Sequence, residues 1–257
     1  MVARVKERLD DEKLPLTDHL KELRDRLLVS IAALLLAFIF CYLFAEEIYN
    51  FLVAPLAAIY QGQEGRKLIY TGLTEAFMTY MSVAFWAALM ISFPIIATQF
   101  YKFLSPGLYK KEKKFLIPFL VASPVLFIMG AALAYYFVFP MAWQFFLGFE
   151  TSGLGDSGLP IKMEARVSEY LSLVMQLIFA FGLAFQMPVV LTLLARAGLL
   201  KSESLKKKRK YAVIGIFVVA AFLTPPDVIS QIGLALPLLL LYECSIFSCR
   251  MVEKKEE

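Results

Sequence analysis

The chain has 257 residues, 60% of them apolar, and a formal net charge of +4. Its 26 Lys and Arg and 22 Asp and Glu residues lie in short blocks between long uncharged apolar stretches, whereas a soluble domain would spread its charges over its helix faces. This pattern excludes a soluble globular domain. In a membrane protein the basic balance first indicates orientation, and the sequence contains no visible nucleic-acid-binding module.

The charged N-terminal segment, residues 1–26, precedes the first apolar stretch. That stretch is about 19 residues long and no small-residue cleavage site follows it, so we expect it to remain as a transmembrane helix and not to be removed as a signal peptide. Five further apolar stretches follow. The predicted spans are residues 27–45, 76–101, 115–139, 167–195, 211–224 and 232–249. The expected fold is an all-α integral membrane protein whose residues 1–257 form a single six-span membrane domain.

Two of these stretches have unusual lengths. The third continues beyond residue 139, and we expect residues 140–146 to emerge as an aromatic segment at the membrane interface. The fifth would extend only about 21 Å at about 1.5 Å per residue, against a hydrocarbon core of about 30 Å. It therefore needs shielding by neighbouring helices or a locally thinner bilayer.

Prolines inside or beside the spans predict bent helices. Each proline removes a backbone donor and tends to kink the helix that contains it, so we expect a Pro-kinked, curved bundle. The prolines are Pro94, Pro118, Pro124, Pro140, Pro188, Pro225, Pro226 and Pro237.

The connecting segments differ sharply in positive charge. Of the 26 Lys and Arg residues, 22 fall in alternate segments that include both termini, and only 4 fall in the segments between them. The positive-inside rule then places both termini, and the loops around Lys110 and Lys207, in the cytoplasm.

Groups suited to catalysis are few. His19 is the single histidine, and with Glu22 it would supply only two ligands to a metal. The sequence contains no Gly-x-Ser-x-Gly motif, phosphate-binding glycine loop or metalloprotease helix, so we expect neither an enzyme nor a cofactor. Cys41, Cys244 and Cys249 lie in apolar stretches and are expected to be packing residues.

A small-solute secondary transporter is the alternative function. Gln176, Gln186 and Glu243 lie in predicted spans and, together with the prolines, could form a polar site at a broken helix. The lack of an inverted repeat in the sequence argues against it. Glu243 lies within two turns of the predicted cytoplasmic end of its span, where it could reach water. Gln186 could simply form an interhelical hydrogen bond.

Two acidic residues stand out among the predicted cytoplasmic segments. Glu112 is the only acid in a loop with five lysines, and Glu22 lies in the stretch His19-Leu20-Lys21-Glu22-Leu23-Arg24, just before the first span. Each could simply pair with a neighbouring cation at low energetic gain. Spacing alone does not distinguish that arrangement from a binding site.

At these segments the sequence resembles the TatC family, the multi-span subunit of the twin-arginine protein translocase. The resemblance extends through nearly the whole chain, over several long motifs in the same order. The motifs cover residues 19–24, 103–112, 127–140 with Gly130 and Tyr135, 181–188, 206–211 and 223–231. The family has six spans, a cytoplasmic N-terminus and short fifth and sixth spans.

The resemblance implies a receptor that binds the paired arginines of a signal peptide on the cytoplasmic face. The family's two acidic binding residues correspond to Glu22 and Glu112, and His19, Arg24 and Phe103 belong to the same matched segments. A planar guanidinium binds a carboxylate through two donors, which Lys cannot copy, so such a site could distinguish an Arg pair from a Lys pair.

The resemblance also implies single-span partners of the TatA and TatB type, docked near the fifth and sixth spans in a bacterial cytoplasmic membrane. It implies export driven by the proton-motive force, in a complex in which the chain forms homo-oligomers. Gln186 stands where many family members carry Glu, which argues against an obligatory proton relay at that position. Further functional polar or turn residues are expected at Pro225, Pro226, Asp227, Gln231 and Glu243.

Overall fold

The computed structural model describes residues 16–61, 66–104, 116–151, 159–196, 198–224 and 228–253. Nearly all of these residues are helical, and β-type pairing among them is limited to two isolated bridges, Ile69 with Arg166 and Thr151 with Ile161. The helices are α1 (Leu16–Leu43), α2 (Ala45–Tyr60), α3 (Glu75–Leu104), α4 (Leu116–Leu133), α5 (Phe139–Leu147), α6 (Val167–Ala184), α7 (Met187–Arg196), α8 (Ser202–Lys207), α9 (Arg209–Leu223) and α10 (Val228–Glu253). A π-helical segment, Ala134–Val138, joins α4 to α5.

Five helical stretches of the described ranges are long and apolar enough to cross a membrane. They are Asp18–Leu43, Glu75–Phe103, Pro118–Leu147, Val167–Arg196 and Val228–Glu253. The predicted all-α membrane fold is thereby confirmed. The predicted fifth span corresponds to α9, which has only 15 residues. The count of six membrane spans and the orientation of the two termini stay predictions.

Helix α2 was not expected from the sequence. We interpreted the segment between the predicted spans 27–45 and 76–101 as a loop. Glu46 and Glu47 interrupt the apolar stretch at the start of α2, and Pro55 lies inside it. Because Pro55 has no N–H, the Phe51 carbonyl four residues earlier loses its helical donor. The Tyr135 hydroxyl replaces that donor with a 2.6 Å hydrogen bond. Packing against the rest of the bundle therefore stabilises a helix that charge patterning obscured.

The third apolar stretch also differs from expectation at its end. Instead of emerging at residue 140, the chain stays helical through Leu147. Trp143 is buried, with its ring 4.9 Å from that of Tyr170 on α6. Helix α6 thus provides an apolar surface that covers Trp143, and the location of residues 140–146 at the membrane interface stays a prediction.

Helix α6 forms the centre of the bundle, and its crossing with α4 is very close. A Cβ atom at Gly130 of α4 would lie 2.5 Å from the carbonyl oxygen of Phe181, and one at Gly182 of α6 would lie 2.5 Å from the Phe127 ring. Only glycine permits this approach at both positions. The backbone of each helix therefore lies directly against the other helix at the crossing.

The bundle has two ends that can be distinguished by their contacts. At the Glu22 end, the start of α1 meets the end of α3, where His19 stacks on Phe103. At the Glu75 end, Glu75 at the start of α3 accepts hydrogen bonds from Arg166 and Ser168 at the start of α6. Helices α1 and α3 are therefore antiparallel, and α3 and α6 run in the same direction.

Candidate functional site

The Glu22 carboxylate lies on α1 and is already engaged by an arginine one turn away. Arg26 Nε donates to Glu22 Oε1 at 3.0 Å, and Arg26 Nη2 also donates to Oε1. Both side chains are 24% exposed. The helix places residues i and i+4 on the same face, so this pairing follows from the local sequence. The structure thus shows a half-buried carboxylate in contact with a guanidinium group.

Arg26 also connects α1 to α3. Its Nη1 atom lies 3.4 Å from the side-chain oxygen of Gln99, in the last part of α3. Gln99 is four positions before Phe103, where the matched segment 103–112 that contains Glu112 begins. One guanidinium therefore bridges the predicted binding residue and the helix that leads to the second one.

His19 and Phe103, both predicted site residues, are brought together from α1 and α3. Their ring centroids lie 4.4 Å apart with an interplanar angle of 20°, which is a stacked pair. His19 is one turn before Glu22 on the same helix. The aromatic pair therefore fixes the end of α3 beside the Glu22 carboxylate.

Arg24 does not join this cluster. Its Nε and Nη2 atoms donate to Asp25 at 2.9 and 2.7 Å, and its side chain is 67% exposed. Glu112, Pro225, Pro226 and Asp227 lie outside the described residues. Their predicted roles stay predictions.

Gln231 and Glu243 belong to the hairpin formed by α9 and α10. Gln231 Nε2 donates to the Phe217 carbonyl at 3.3 Å, and Arg209 Nη2 donates to Glu243 Oε2 at 2.6 Å. Both contacts join the two helices of the hairpin. Glu243 and Arg209 are about half exposed, with side-chain exposures of 51% and 52%.

Gln186 forms a buried hydrogen-bonded node where the predicted fourth span is interrupted. The break lies between α6, which ends at Ala184, and α7, which begins at Met187. Ser123 Oγ donates to Gln186 Oε1 at 2.7 Å, and Gln186 Nε2 donates to the Ser123 carbonyl at 2.9 Å. The Tyr101 hydroxyl lies 3.4 Å from Ser123 Oγ. Sequence reasoning missed Ser123, because a serine in an apolar stretch gives no signal of its partner.

The Glu75 end carries a second set of polar contacts that sequence reasoning missed. Glu75, only 8% exposed at its side chain, accepts hydrogen bonds from Ser168 Oγ at 2.6 Å and from the Thr71 and Gly72 amides at 2.9 and 3.1 Å. Arg166 Nη2 completes the set at 3.1 Å. The only sequence signal is a lone acid at the start of an apolar helix, where the helix dipole stabilises a negative charge.

Arg66 and Glu150 form a further ion pair outside the predicted spans. Arg66 donates through Nη1 and Nη2 to the two oxygens of Glu150, and the Met163 amide donates to Glu150 Oε1 at 2.7 Å. The hydrogen bonds from Arg66 and Met163 lower the pKa of Glu150 to about 2, and the same pair raises the pKa of Arg66.

An apolar groove of about 470 Å³ lies among α2, α3, α4 and α6. Its lining includes Phe51, Trp86, Met90, Pro94, Phe127 and Met175. Within the described part of the chain, no group of three or more His, Cys, Asp or Glu side chains could hold a metal ion. At the Glu22 end, the described residues form charge pairs and a stacked aromatic pair.

Comparison with known proteins adds to this description. The family model for the Sec-independent protein translocase protein (TatC) matches residues 18–237. A protein of that name from Magnetococcus marinus is 49% identical to this chain, and the match covers 95% of this chain and 87% of the relative. The protein of that name from Escherichia coli is 40% identical, and the match covers 93% of this chain and 90% of the relative. A crystal structure described as the twin arginine translocase receptor TatC matches with a TM-score of 0.73 and 38% identity, over 91% of this chain and 99% of the other.

Proposed function

Because this chain belongs to the TatC family of Sec-independent protein translocase proteins, we propose that it is the subunit that binds twin-arginine signal peptides for the export of folded proteins. The binding site consists of Glu22 and Glu112 at the Glu22 end, with His19 and Phe103 beside them. Arg24 belongs to the proposed site only through its place in the matched motif, since its side chain pairs with Asp25 at the exposed surface. Membership of a protein translocase family does not favour the alternative of a small-solute transporter.

One observation carries this proposal: the Glu22 carboxylate already binds a guanidinium through two nitrogen donors of Arg26. Its surroundings are half-buried, where a charge-assisted hydrogen bond is stronger than in bulk water. An arginine of a signal peptide presents the same group. This contact supports the assignment of Glu22 as an acceptor for a peptide guanidinium.

Glu112 is connected to this site through Phe103. Glu112 is nine positions after Phe103, and a fully extended chain of that length spans at most about 32 Å. Because Phe103 stacks on His19, one end of this connection is fixed next to Glu22. Two adjacent peptide arginines could then reach two separate carboxylates.

The charge distribution supports a cytoplasmic location for this site. With 22 of 26 cationic residues in the segments that include both termini, the Glu22 end faces the cytoplasm of a bacterial inner membrane and both termini lie on that side. That face repels a cationic peptide in general, so the local carboxylates provide the attraction. The apolar groove offers burial for the apolar part of the signal peptide.

Single-span subunits of the TatA and TatB type bind at the hairpin of α9 and α10, within a complex that contains further copies of this chain. The hairpin exposes large apolar side chains to the bilayer. They include Ile214 at 62%, Phe222 at 86%, Leu240 at 70% and Phe247 at 66% exposure. A transmembrane helix can pack on such a surface without exposing polar groups. The proton-motive force supplies the energy for transport.

Site-specific crosslinking of a twin-arginine peptide to the membrane-inserted chain tests the receptor function. Glu22→Gln and Glu112→Gln should each weaken binding by roughly 10-fold, the loss expected for one charge-assisted hydrogen bond, and the double variant should nearly abolish it. Glu203→Gln, which removes an exposed acid from α8, is the matched control and should bind normally. Normal binding by a folded double variant, or equal loss in the Glu203 control, would show that the site is elsewhere.

A twin-lysine peptide provides the second control. It should crosslink far less than the twin-arginine peptide, because an ammonium group cannot reproduce the two-donor contact. A small-solute transporter would show no such preference.

A further inference from the structure

The guanidinium group on Glu22 comes from the chain itself, and we infer that Arg26 is an internal competitor that a signal-peptide arginine must displace. This inference rests on the proposed function, since it requires Glu22 to receive a peptide arginine. Arg26 contacts Glu22 through both Nε and Nη2, and both contacts fall on the same carboxylate oxygen. The free site is thus occupied by the same chemical group as its ligand.

The surroundings of Arg26 allow the displacement. The guanidinium has a second acceptor, Gln99, 3.4 Å from its Nη1 atom, so leaving Glu22 does not leave it without a hydrogen bond. Its side chain is 24% exposed and lies at the last position before the apolar part of α1, where a long cationic side chain can extend toward the membrane surface. Displacement therefore requires a rotation of one side chain and no movement of a helix.

Competition of this kind changes affinity and leaves selectivity unaltered. If the peptide binds only when Arg26 has left, the apparent dissociation constant of every peptide is raised by the same factor, which is set by the strength of the internal pair. A twin-arginine peptide has enough intrinsic affinity to bind despite this factor. For a twin-lysine peptide, which lacks the two-donor contact, the same factor raises the apparent dissociation constant above the peptide concentration, so little of it binds. Arg26 thus sets a threshold for the whole class of basic peptides.

The size of the factor follows from the geometry of the pair. An exposed i, i+4 ion pair alone would give a factor of about 2, and a fully buried charge-assisted pair would give much more. With both side chains 24% exposed, we expect an intermediate factor, roughly 3- to 10-fold.

Binding of fluorescent twin-arginine and twin-lysine peptides to the full chain in lipid nanodiscs tests the inference. Arg26→Gln should tighten both peptides by the same factor, roughly 3- to 10-fold, so that their ratio stays constant. Arg26→Lys, which keeps the charge but pairs more weakly, should tighten both by a smaller factor. Lys21→Gln is the matched control: it removes one positive charge on the same helix, from a residue paired with Asp18 at 3.3 Å, and should change binding less than 2-fold.

Three results would overturn the inference. Unchanged or weaker peptide binding by both folded Arg26 variants would make Arg26 a supporting residue of the site and not a competitor. An equal gain in Lys21→Gln would reduce the effect to net charge. If Arg26→Gln tightens peptide binding equally in a Glu22→Gln background, compared with Glu22→Gln alone, then Arg26 does not act through Glu22.

The same measurements separate this inference from the receptor proposal. If Glu22→Gln weakens twin-arginine binding while neither Arg26 variant strengthens it, the receptor site stands and the competitor role is wrong. If Glu22→Gln leaves binding unchanged, the receptor proposal fails first.

Discussion

Among single residues, Glu150 has a pKa well below its usual range because of its hydrogen bonds. Its two oxygens accept hydrogen bonds from Arg66, and the Met163 amide adds a third donor, so the ionised form is strongly favoured and the pKa falls to about 2. These contacts tie residue 66 to the segment before α6, across 84 positions of sequence. The pair therefore contributes to the structure of the Glu75 end.

The pKa of Glu150 predicts a specific loss of stability in acid. Because the pKa in the folded state is lower than in the unfolded chain, the contribution is fully present above the unfolded pKa of about 4.3 and is lost as the pH falls toward 2. The Tm of the detergent-solubilised protein should therefore fall by several degrees between pH 4.5 and pH 2 through this residue. In Glu150→Gln, that part of the pH dependence should disappear and the Tm at pH 7 should be lower.

Glu164→Gln is the control for this experiment, because Glu164 is exposed and close in sequence to Met163. It should retain the acid dependence of the unaltered protein. A Glu150 variant with the same pH profile as the unaltered protein would contradict the assigned cause.

Residue-level prediction from sequence worked where the spacing was local. The pairing of Glu22 with a neighbouring cation was one of two open possibilities, and Arg26 at i+4 could have been named from helix periodicity. Arg66 with Glu150 could not, since only tertiary structure brings them together. Ser123 and Gln186 are separated by 63 residues and were likewise unpredictable as a pair.

Among the elements, the crossing of α4 and α6 determines how closely the centre of the bundle packs. Gly130 faces the backbone of Phe181, and Gly182 faces the Phe127 ring, which is itself stacked on Phe93 with centroids 4.0 Å apart. A methyl group at Gly130 meets a backbone carbonyl that cannot rotate away. The two helices would have to move apart to accommodate it.

Gly130→Ala should therefore destabilise the protein by about 1–3 kcal/mol, the usual cost of overpacking, and lower its Tm by several degrees. Gly215→Ala in α9 is the matched control, because a Cβ there meets no atom within 4 Å of the described structure. Alanine also favours a helix over glycine, so this control should be neutral or slightly more stable. Thermal unfolding in detergent measures both, and equal Tm values for the two variants would refute the close crossing.

Elements were predictable where hydropathy was continuous. Long apolar stretches indicated the five helical stretches able to span a membrane, because the bilayer requires about 20 apolar residues of each. Helix α2 escaped prediction because Glu46 and Glu47 divide its apolar stretch from the previous one. The break between α6 and α7 is invisible to hydropathy, since the side chains on both sides of it are apolar apart from Gln186.

For the whole molecule, the unequal distribution of Lys and Arg predicts the orientation in the membrane. Cysteine labelling of sealed cells, in a Cys244→Ser background that removes the exposed native cysteine, tests it. Leu73→Cys and Leu159→Cys, at positions 103% and 89% exposed at the Glu75 end, should react with an impermeant reagent from outside. Lys207→Cys should react only after the cells are opened. Labelling of Lys207→Cys in intact cells would contradict the six-span topology.

The node formed by Gln186 and Ser123 has an electrical consequence for the whole molecule. A charge that moves through the full membrane potential changes in energy by about 2.3 kcal/mol per 100 mV, whereas an amide and a hydroxyl carry no net charge. The contacts of 2.7 and 2.9 Å that join α4 to the break before α7 are therefore insensitive to voltage. At this junction the membrane potential therefore has no net charge to act on, so any coupling of the protein to voltage has to involve charged groups elsewhere.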